Sequence, residues 1–262
     1  MVTQKRFAEK VVIVTGSSAG IGKSTILHFA KEGASVILHG QSKEKLEKVK
    51  AELLEIVGRD ESKILVIPGS LEDETTLVRL IDETIKQFGK IDILINNAGI
   101  AGGKPGADFN ALETYDTIMA VNVRAIYRLI QLATPHLEKT KGSIVNITSP
   151  LGETPFILSM PYSISKAALN HLTRNFARSL AEKGIRVNAV GVGLTRTDLQ
   201  TRMGLPTEML DNIFAQGAKH IPLGRISEID EQAEIILNIA SPTNTYMTGS
   251  IIYNDGGYLI GN

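Results

Sequence analysis

Short runs of consecutive apolar, mostly β-branched residues recur along the chain, separated by longer stretches in which apolar positions return every three to four residues. The short runs cover 11–14, 35–38, 64–67, 91–95, 143–147, 185–190 and 250–253. Near-continuous apolar character is what a strand covered on both faces requires, so these runs predict a parallel sheet held between two layers of helices. The periodic stretches predict helices over 21–32, 43–57, 72–88, 112–137, 162–182, 206–218 and 228–240. Gly33, Gly58, Gly89 and Gly184 stand where four of these patterns stop, as helix-ending glycines do. Strand and helix alternate without a linker, a repeat or a low-complexity tract, which predicts one doubly wound α/β domain over 1–262.

Composition narrows the function classes. Of 262 residues 43% are hydrophobic, enough for a sizeable core. Lys+Arg and Asp+Glu both total 28, so no net field draws the chain to nucleic acid or to an anionic membrane, and neither is an expected partner. The lysine-rich segment 43–50 is interrupted by Glu44 and Glu47 and reads as a solvated helix face. Without cysteine, disulfides, thiolate catalysis and thiolate metal sites are excluded. The histidines, His28, His39, His136, His171 and His220, never form a ligand-spaced pair, so no metal site is expected. Residues 1–10 carry Lys5, Arg6, Glu9 and Lys10 and lack the apolar core of a leader, and no run reaches the ~18 apolar residues of a membrane span. A cytoplasmic protein is the expectation.

Two constellations carry chemistry. The first strand leads into Thr15-Gly16-Ser17-Ser18-Ala19-Gly20-Ile21-Gly22, and a predicted helix follows at once. Glycines here let the backbone turn sharply and approach a pyrophosphate, while the free N–H groups and positive dipole end of the helix favour an anion. The spacing is neither the common G-x-G-x-x-G fingerprint nor a phosphate loop for ATP, since Lys23-Ser24 follows Gly22 out of place for that role. The second constellation is Tyr162 with Lys166, one helical turn apart, and Ser149 upstream. A phenol with an ordinary pKa near ~10 exchanges protons poorly at neutral pH, and a fixed ammonium beside it is expected to bring that value down. The serine hydroxyl adds a hydrogen bond for an oxygen gaining charge, and the set suggests interconversion of a carbonyl and an alcohol.

These residues resemble the short-chain dehydrogenases/reductases, whose motif Thr-Gly-x-x-x-Gly-Ile-Gly residues 15–22 match in full. The resemblance continues through Asn96-Asn97-Ala98-Gly99, Asn122, Ser149, Tyr162, Lys166, Ile185-Arg186-Val187-Asn188 and Asp255-Gly256-Gly257, and so covers nearly the whole chain. It implies a Rossmann-like domain with a seven-stranded parallel sheet and an oxidoreductase that moves a hydride between a nicotinamide dinucleotide and a ketone or secondary alcohol. Tyr162 would exchange the proton, Lys166 would lower its pKa and hold the ribose, Ser149 would orient the carbonyl, and Asn122 would hold a water in the proton relay. Gly16, Ser18, Gly20, Ile21 and Gly22 are expected at the phosphates, Asn97, Ala98 and Gly99 near the ribose, and Val192, Thr195 and Thr197 at the nicotinamide.

The sequence departs from the family pattern in three places. Val192 replaces a frequent proline, leaving an extra N–H to satisfy and suggesting a looser loop. Gly40 stands where an acid would select NAD, which makes NADP(H) the expected cofactor and NAD(H) the alternative; Gln41 and Ser42, with His39, Lys43 and Lys45 nearby, are the candidate phosphate contacts. Ser70 replaces an aspartate, leaving its hydroxyl and the Leu71 backbone for the adenine. Residues 194–217 correspond to a substrate lid. Leu199, Met203, Leu205, Met209, Leu210 and Phe214, with Leu151, Phe156, Leu158 and Met160, predict an apolar pocket, and Arg196 and Arg202 are candidates for a carboxylate or thioester carrier. The expected function is an NADP(H)-dependent carbonyl reductase. The alternatives are an NAD-dependent alcohol or hydroxysteroid-type dehydrogenase and a non-catalytic dinucleotide sensor. The resemblance further implies a homotetramer or homodimer built through the helices 112–137 and 162–182.

Overall fold

The structure, a computed structural model, describes residues 5–103, 106–201 and 203–261; Arg202 lies outside them. Seven strands form one parallel sheet: β1 (Val11–Val14), β2 (Ser35–Gly40), β3 (Ile64–Pro68), β4 (Ile93–Asn96), β5 (Ser143–Thr148), β6 (Arg186–Val192) and β7 (Ile251–Asn254). Their spatial order is β3-β2-β1-β4-β5-β6-β7. The chain therefore reverses its direction of travel between β1 and β4, and the crevice outside their carboxyl ends is where such sheets bind ligands. Each predicted strand is present, with ends displaced by one or two residues.

Alternation along the strands divides the core into two layers. Val11, Ile13, Ile37, Leu94 and Ile144 face one side. Val12, Val14, Val36, Leu38, Ile93, Ile95 and Val145 face the other. The helices that cover these faces are α1 (Gly20–Lys31), α2 (Lys43–Ile56), α3 (Glu74–Phe88), α4 (Leu112–Met119), α5 (Ala125–Thr140), α6 (Met160–Leu180), α7 (Asp198–Thr201), α8 (Thr207–Lys219) and α9 (Ile229–Ala240). Three starts follow from side-chain caps: Ser42 caps α2, Asp73 caps α3, and Glu228 with Glu231 forms a capping box on α9. Helix α6 begins at Met160, two residues before the predicted start, with Pro161 in its first turn. Among the described residues, no helix is long and apolar enough to cross a membrane.

Two local features differ from expectation. The stretch 112–137 is not one uniform helix, because a π turn at Ala120–Arg124 separates α4 from α5. Asn122 lies in that turn with its side chain fully buried. Its Oδ1 accepts from Ile100 N at 2.9 Å, and its Nδ2 donates to Ile100 O at 2.9 Å and to Ser165 Oγ at 3.0 Å. The extra residue of a π turn swings this amide toward the loop after β4, and hydrophobic periodicity carries no sign of it. The second feature is α7, whose four residues are too short for a periodic pattern to reveal.

A chain of buried polar side chains then fixes α6 against the sheet. Asn96 Nδ2 on β4 donates to Asn146 Oδ1 on β5 at 2.8 Å, and Asn146 Nδ2 donates to Thr173 Oγ1 on α6 at 2.9 Å. Apolar packing lets a helix slide, whereas directional bonds set its register. Replacing Asn146 by Leu would strand both partners out of water. The expected cost is about 2–3 kcal/mol, read as a lower midpoint in urea unfolding; an unchanged midpoint would show that packing alone places the helix.

Candidate active site

The site begins where β1 ends. Thr15 Oγ1 accepts from Asn97 N at 3.0 Å and Ala98 N at 3.1 Å, which joins the end of β1 to the end of β4. Asn97 Nδ2 donates to Thr15 O at 2.9 Å and Gly16 O at 3.2 Å. A Cβ on Gly22 would collide with that amide, and one on Gly16, at φ +65, would lie 2.8 Å from Ala98 Cα. The two loops are so close that only glycine fits. Helix α1 follows with Ala19 at its N-cap and no side-chain cap, so the first-turn N–H groups have no side chain competing for them. A cradle that close, ending in an uncapped helix, fits a pyrophosphate.

A cavity of about 160 Å³ runs from this turn along the strand ends. Gly16, Ser18, Gly20, Ile21, Gly22, Gln41, Leu71, Asn97, Ala98, Gly99, Tyr162, Lys166, Val192 and Thr197 all line it. Three of the expected contacts lie elsewhere. Ser42 accepts from Lys45 N as the cap of α2, Ser70 Oγ is engaged with Glu72, and Thr195 Oγ1 donates to Gly193 O at 3.0 Å. Short hydroxyl side chains reach their own backbone neighbours before any ligand. His39 lines the cleft, but its Nδ1 accepts from Gly16 N at 3.2 Å, and burial pushes its pKa down to about 4. Since Nδ1 accepts, the neutral ring carries its proton on Nε2. Lys45 donates instead to Asp198 on α7.

Sequence reasoning missed Ile100, Thr148 and Asp198 on the wall of this cavity. Adjacency to Gly99 and Ser149 was a signal for the first two; nothing local marks Asp198. The valine at 192 proves regular rather than loose. It closes β6 in register with Asn254, and Gly193 N donates to Asn254 O at 3.0 Å, so the strand pairing extends one residue past the valine.

A second cavity of about 290 Å³ opens on the other side of Tyr162. Leu151, Phe156, Leu158, Leu199, Met203, Leu205 and Leu210 line it as expected, joined by Ile213, Ile221 and Tyr258. Met160 and Met209 are instead exposed, and Phe214 is buried beneath Arg196, whose guanidinium sits 4.2 Å from the ring centre. Arg196 also pairs with Asp211 at 2.8 Å, so it does not reach into the cavity to meet an anion. Ser149 lies on this second wall, and Tyr162 borders both cavities.

Electrostatics around the tyrosine differ from expectation. Burial pushes Tyr162 up to about 12, opposed by a hydrogen bond from Ser149. Burial also draws Lys166 down to about 8. The ammonium donates to Ile147 O at 2.8 Å and stands 5.5 Å from the centre of the phenol ring. It bonds the strand rather than the phenol, so desolvation outweighs attraction at both groups. Asn122, with both amide hydrogens engaged, spans Ile100 and Ser165.

A family model described as enoyl-(acyl carrier protein) reductase matches residues 16–259. Among curated proteins the chain is 34% identical to a 3-oxoacyl-[acyl-carrier-protein] reductase of Thermotoga maritima, across 97% of this chain and 100% of that one. It is also 34% identical to a 3α-hydroxysteroid dehydrogenase of Mediterraneibacter gnavus, across 94% and 96%. Among solved structures, a short-chain dehydrogenase/reductase of unknown function from Caenorhabditis elegans, crystallised with cofactor, superimposes with a TM-score of 0.90 at 37% identity, covering 97% and 96%.

The lysine makes a pH-dependent contribution. Its ordinary pKa of 10.5 in the unfolded chain falls to about 8 in the fold, so between those values the unfolded state holds more protons and stability rises with pH. Below that window the fold bears a buried charge at a cost on the order of 3 kcal/mol. Lys166→Met is expected to raise the denaturation midpoint at pH 7 and to lose this advantage by pH 10.5. Equal gains at both pH values would mean that the charge is not what burial penalises.

Proposed function

Since the chain belongs to the short-chain dehydrogenase/reductase family, oxidoreductases acting on the CH–OH/C=O pair, we propose that it is an NADP(H)-dependent carbonyl reductase of a bulky apolar ketone. The observation that carries this reading is the position of Tyr162, a wall shared by a cleft suited to a dinucleotide and a cavity lined almost wholly by hydrocarbon. The dinucleotide, when bound, supplies the hydride. Tyr162 donates its proton to the carbonyl oxygen as charge gathers there. Its raised pKa keeps the phenol protonated at neutral pH, which suits reduction. Ser149 Oγ accepts from Leu151 N at 3.2 Å, which orients the hydroxyl so that its proton is free to steady the phenolate left behind. Lys166, held by Ile147 O, is the cation behind them and would take the ribose hydroxyls.

The choice of NADP(H) rests on Gly40. A Cβ at that position would lie 2.7 Å from Ser18 Oγ, so the turn itself resists a side chain there, and no acid occupies that position to repel a 2′-phosphate. Gln41 on the cleft wall would meet the phosphate. Residues 194–217 would close over the ketone, with Thr197, Val192 and the backbone of Thr195, whose hydroxyl is engaged by Gly193, at the nicotinamide. Residues Leu112, Tyr127 and Ile164 expose large apolar side chains on α4, α5 and α6, which supports a homodimer or homotetramer through those helices. The likeness to hydroxysteroid dehydrogenases favours a second reading, oxidation of a bulky secondary alcohol with NAD.

Titration of intrinsic fluorescence with NADPH and NADH is expected to show tighter NADPH binding, and the reverse order would overturn the cofactor assignment. With a panel of cyclic ketones, Tyr162→Phe is expected to lower kcat at least ~100-fold at nearly unchanged dinucleotide affinity. Substantial residual turnover would remove Tyr162 from the acid's role. Normal dinucleotide binding with no turnover of any ketone or alcohol by the unaltered protein would instead support a sensor.

A further inference from the structure

Ser149 sits at the end of β5, where the chain enters a tight turn, Pro150–Gly152. Gly152 N donates to Ser149 O and Glu153 N to Pro150 O, both at 2.9 Å, so a movement of Glu153 is transmitted through the turn to the serine. Glu153 is itself held. Its Oε1 accepts from Tyr253 Oη at 2.6 Å and from Asn170 Nδ2 at 2.9 Å, and the same Nδ2 donates to Tyr253 Oη at 3.0 Å. These three residues come from the turn, from α6 and from β7.

Packing is tight on the inner side of this triangle, while Glu153 itself is exposed. A Cβ on Gly152 would lie 2.9 Å from the Lys166 carbonyl carbon, so the turn rests directly on the helix that carries the lysine. A Cβ on Gly191 would collide with the Tyr253 ring, so that ring lies directly against β6. Asn170 is 2% exposed, and its Oδ1 has no hydrogen-bond partner among the described residues. A buried orphan acceptor is a cost. The amide keeps that orientation because both of the other groups, the carboxylate and the phenol oxygen, lie on its NH₂ side. Burial and the neighbouring carboxylate push the Tyr253 pKa up, so its hydroxyl stays a donor at any working pH.

Asn170 is one turn beyond Lys166 and two beyond Tyr162, on the same stripe of α6. We infer that Glu153, Asn170 and Tyr253 form a clamp that sets the distance from Ser149 to Tyr162. The clamp touches neither cavity. Its members are positioning residues, and their effect on the reaction passes through Ser149 alone. A displacement of about 1 Å in a group that steadies developing charge is enough to slow a reaction severely. This inference rests on the role given to Ser149 above.

A double-mutant cycle with NADPH and a cyclic ketone tests it. Tyr253→Phe is expected to lower kcat ~10-fold or more while leaving the NADPH dissociation constant within about twofold. In the Ser149→Ala background the same substitution should cause no further loss of kcat. Glu153→Gln, which keeps an acceptor oxygen, should retain most of the turnover that Glu153→Ala loses. An undiminished kcat in Tyr253→Phe, or an equal loss in both backgrounds, would overturn the clamp, since a general structural defect acts whether or not the serine is present. Wild-type turnover in Ser149→Ala would overturn the role of the serine and the clamp with it. Thermal unfolding of each variant guards the comparison, and Glu153→Gln carries the test alone should Tyr253→Phe fail to fold, a loss equal to that of Glu153→Ala overturning the clamp.

Discussion

A parallel sheet buried on both faces has no wet side, so the polar groups that chemistry needs must gather where the strands end. In this chain the two apolar layers on either side of the sheet leave the carboxyl ends of β1, β4, β5 and β6 as the ground for a site. The reversal of strand order between β1 and β4 opens a crevice there. The glycine turn, the loop after β4, Ser149 at the end of β5 and Val192 at the end of β6 all meet around it because each continues a strand that could go nowhere else. Helix α6 then crosses the same ends and brings Tyr162 and Lys166 to the junction of the two cavities.

Burial also decides the charges. Tyr162, Lys166 and His39 are all shifted toward their neutral forms, and desolvation is the first cause in each. For His39 the consequence is structural, a neutral ring that accepts from the glycine turn. For Tyr162 it is chemical, a phenol that keeps its proton until an oxygen beside it becomes basic enough to take it. Many of the polar residues nearby act as internal ties. Asn97 binds two loops, Asn122 joins a π turn to the loop after β4, and Gln200 gathers the loop after β6 by bonding Thr195 O and Thr197. Each tie satisfies groups that would otherwise be buried without partners.

Much of this was legible in the sequence, for identifiable reasons. Strand positions followed from β-branched apolar runs, because a doubly covered strand tolerates little else. The glycine turn was legible because its constraint is local: Gly16 and Gly22 are required by a close approach that the motif itself creates. Tyr162 and Lys166 were legible as a pair because helical spacing places them on one face. The pattern carries less where a short hydroxyl has a neighbour of its own to bond. Ser42, Ser70 and Thr195 looked like cleft residues, yet each hydroxyl bonds its own loop or helix start.

The sequence by itself determined the layered α/β architecture, the glycine cradle and the one-turn spacing of Tyr162 and Lys166, since all three depend on residues near one another in the chain. Only the tertiary structure decided that the lysine would bond Ile147 rather than the phenol, that Tyr162 would be raised instead of lowered, and that Tyr253 would reach back to Glu153. Those outcomes depend on desolvation and on partners far apart in sequence, and neither leaves a periodic mark on the chain.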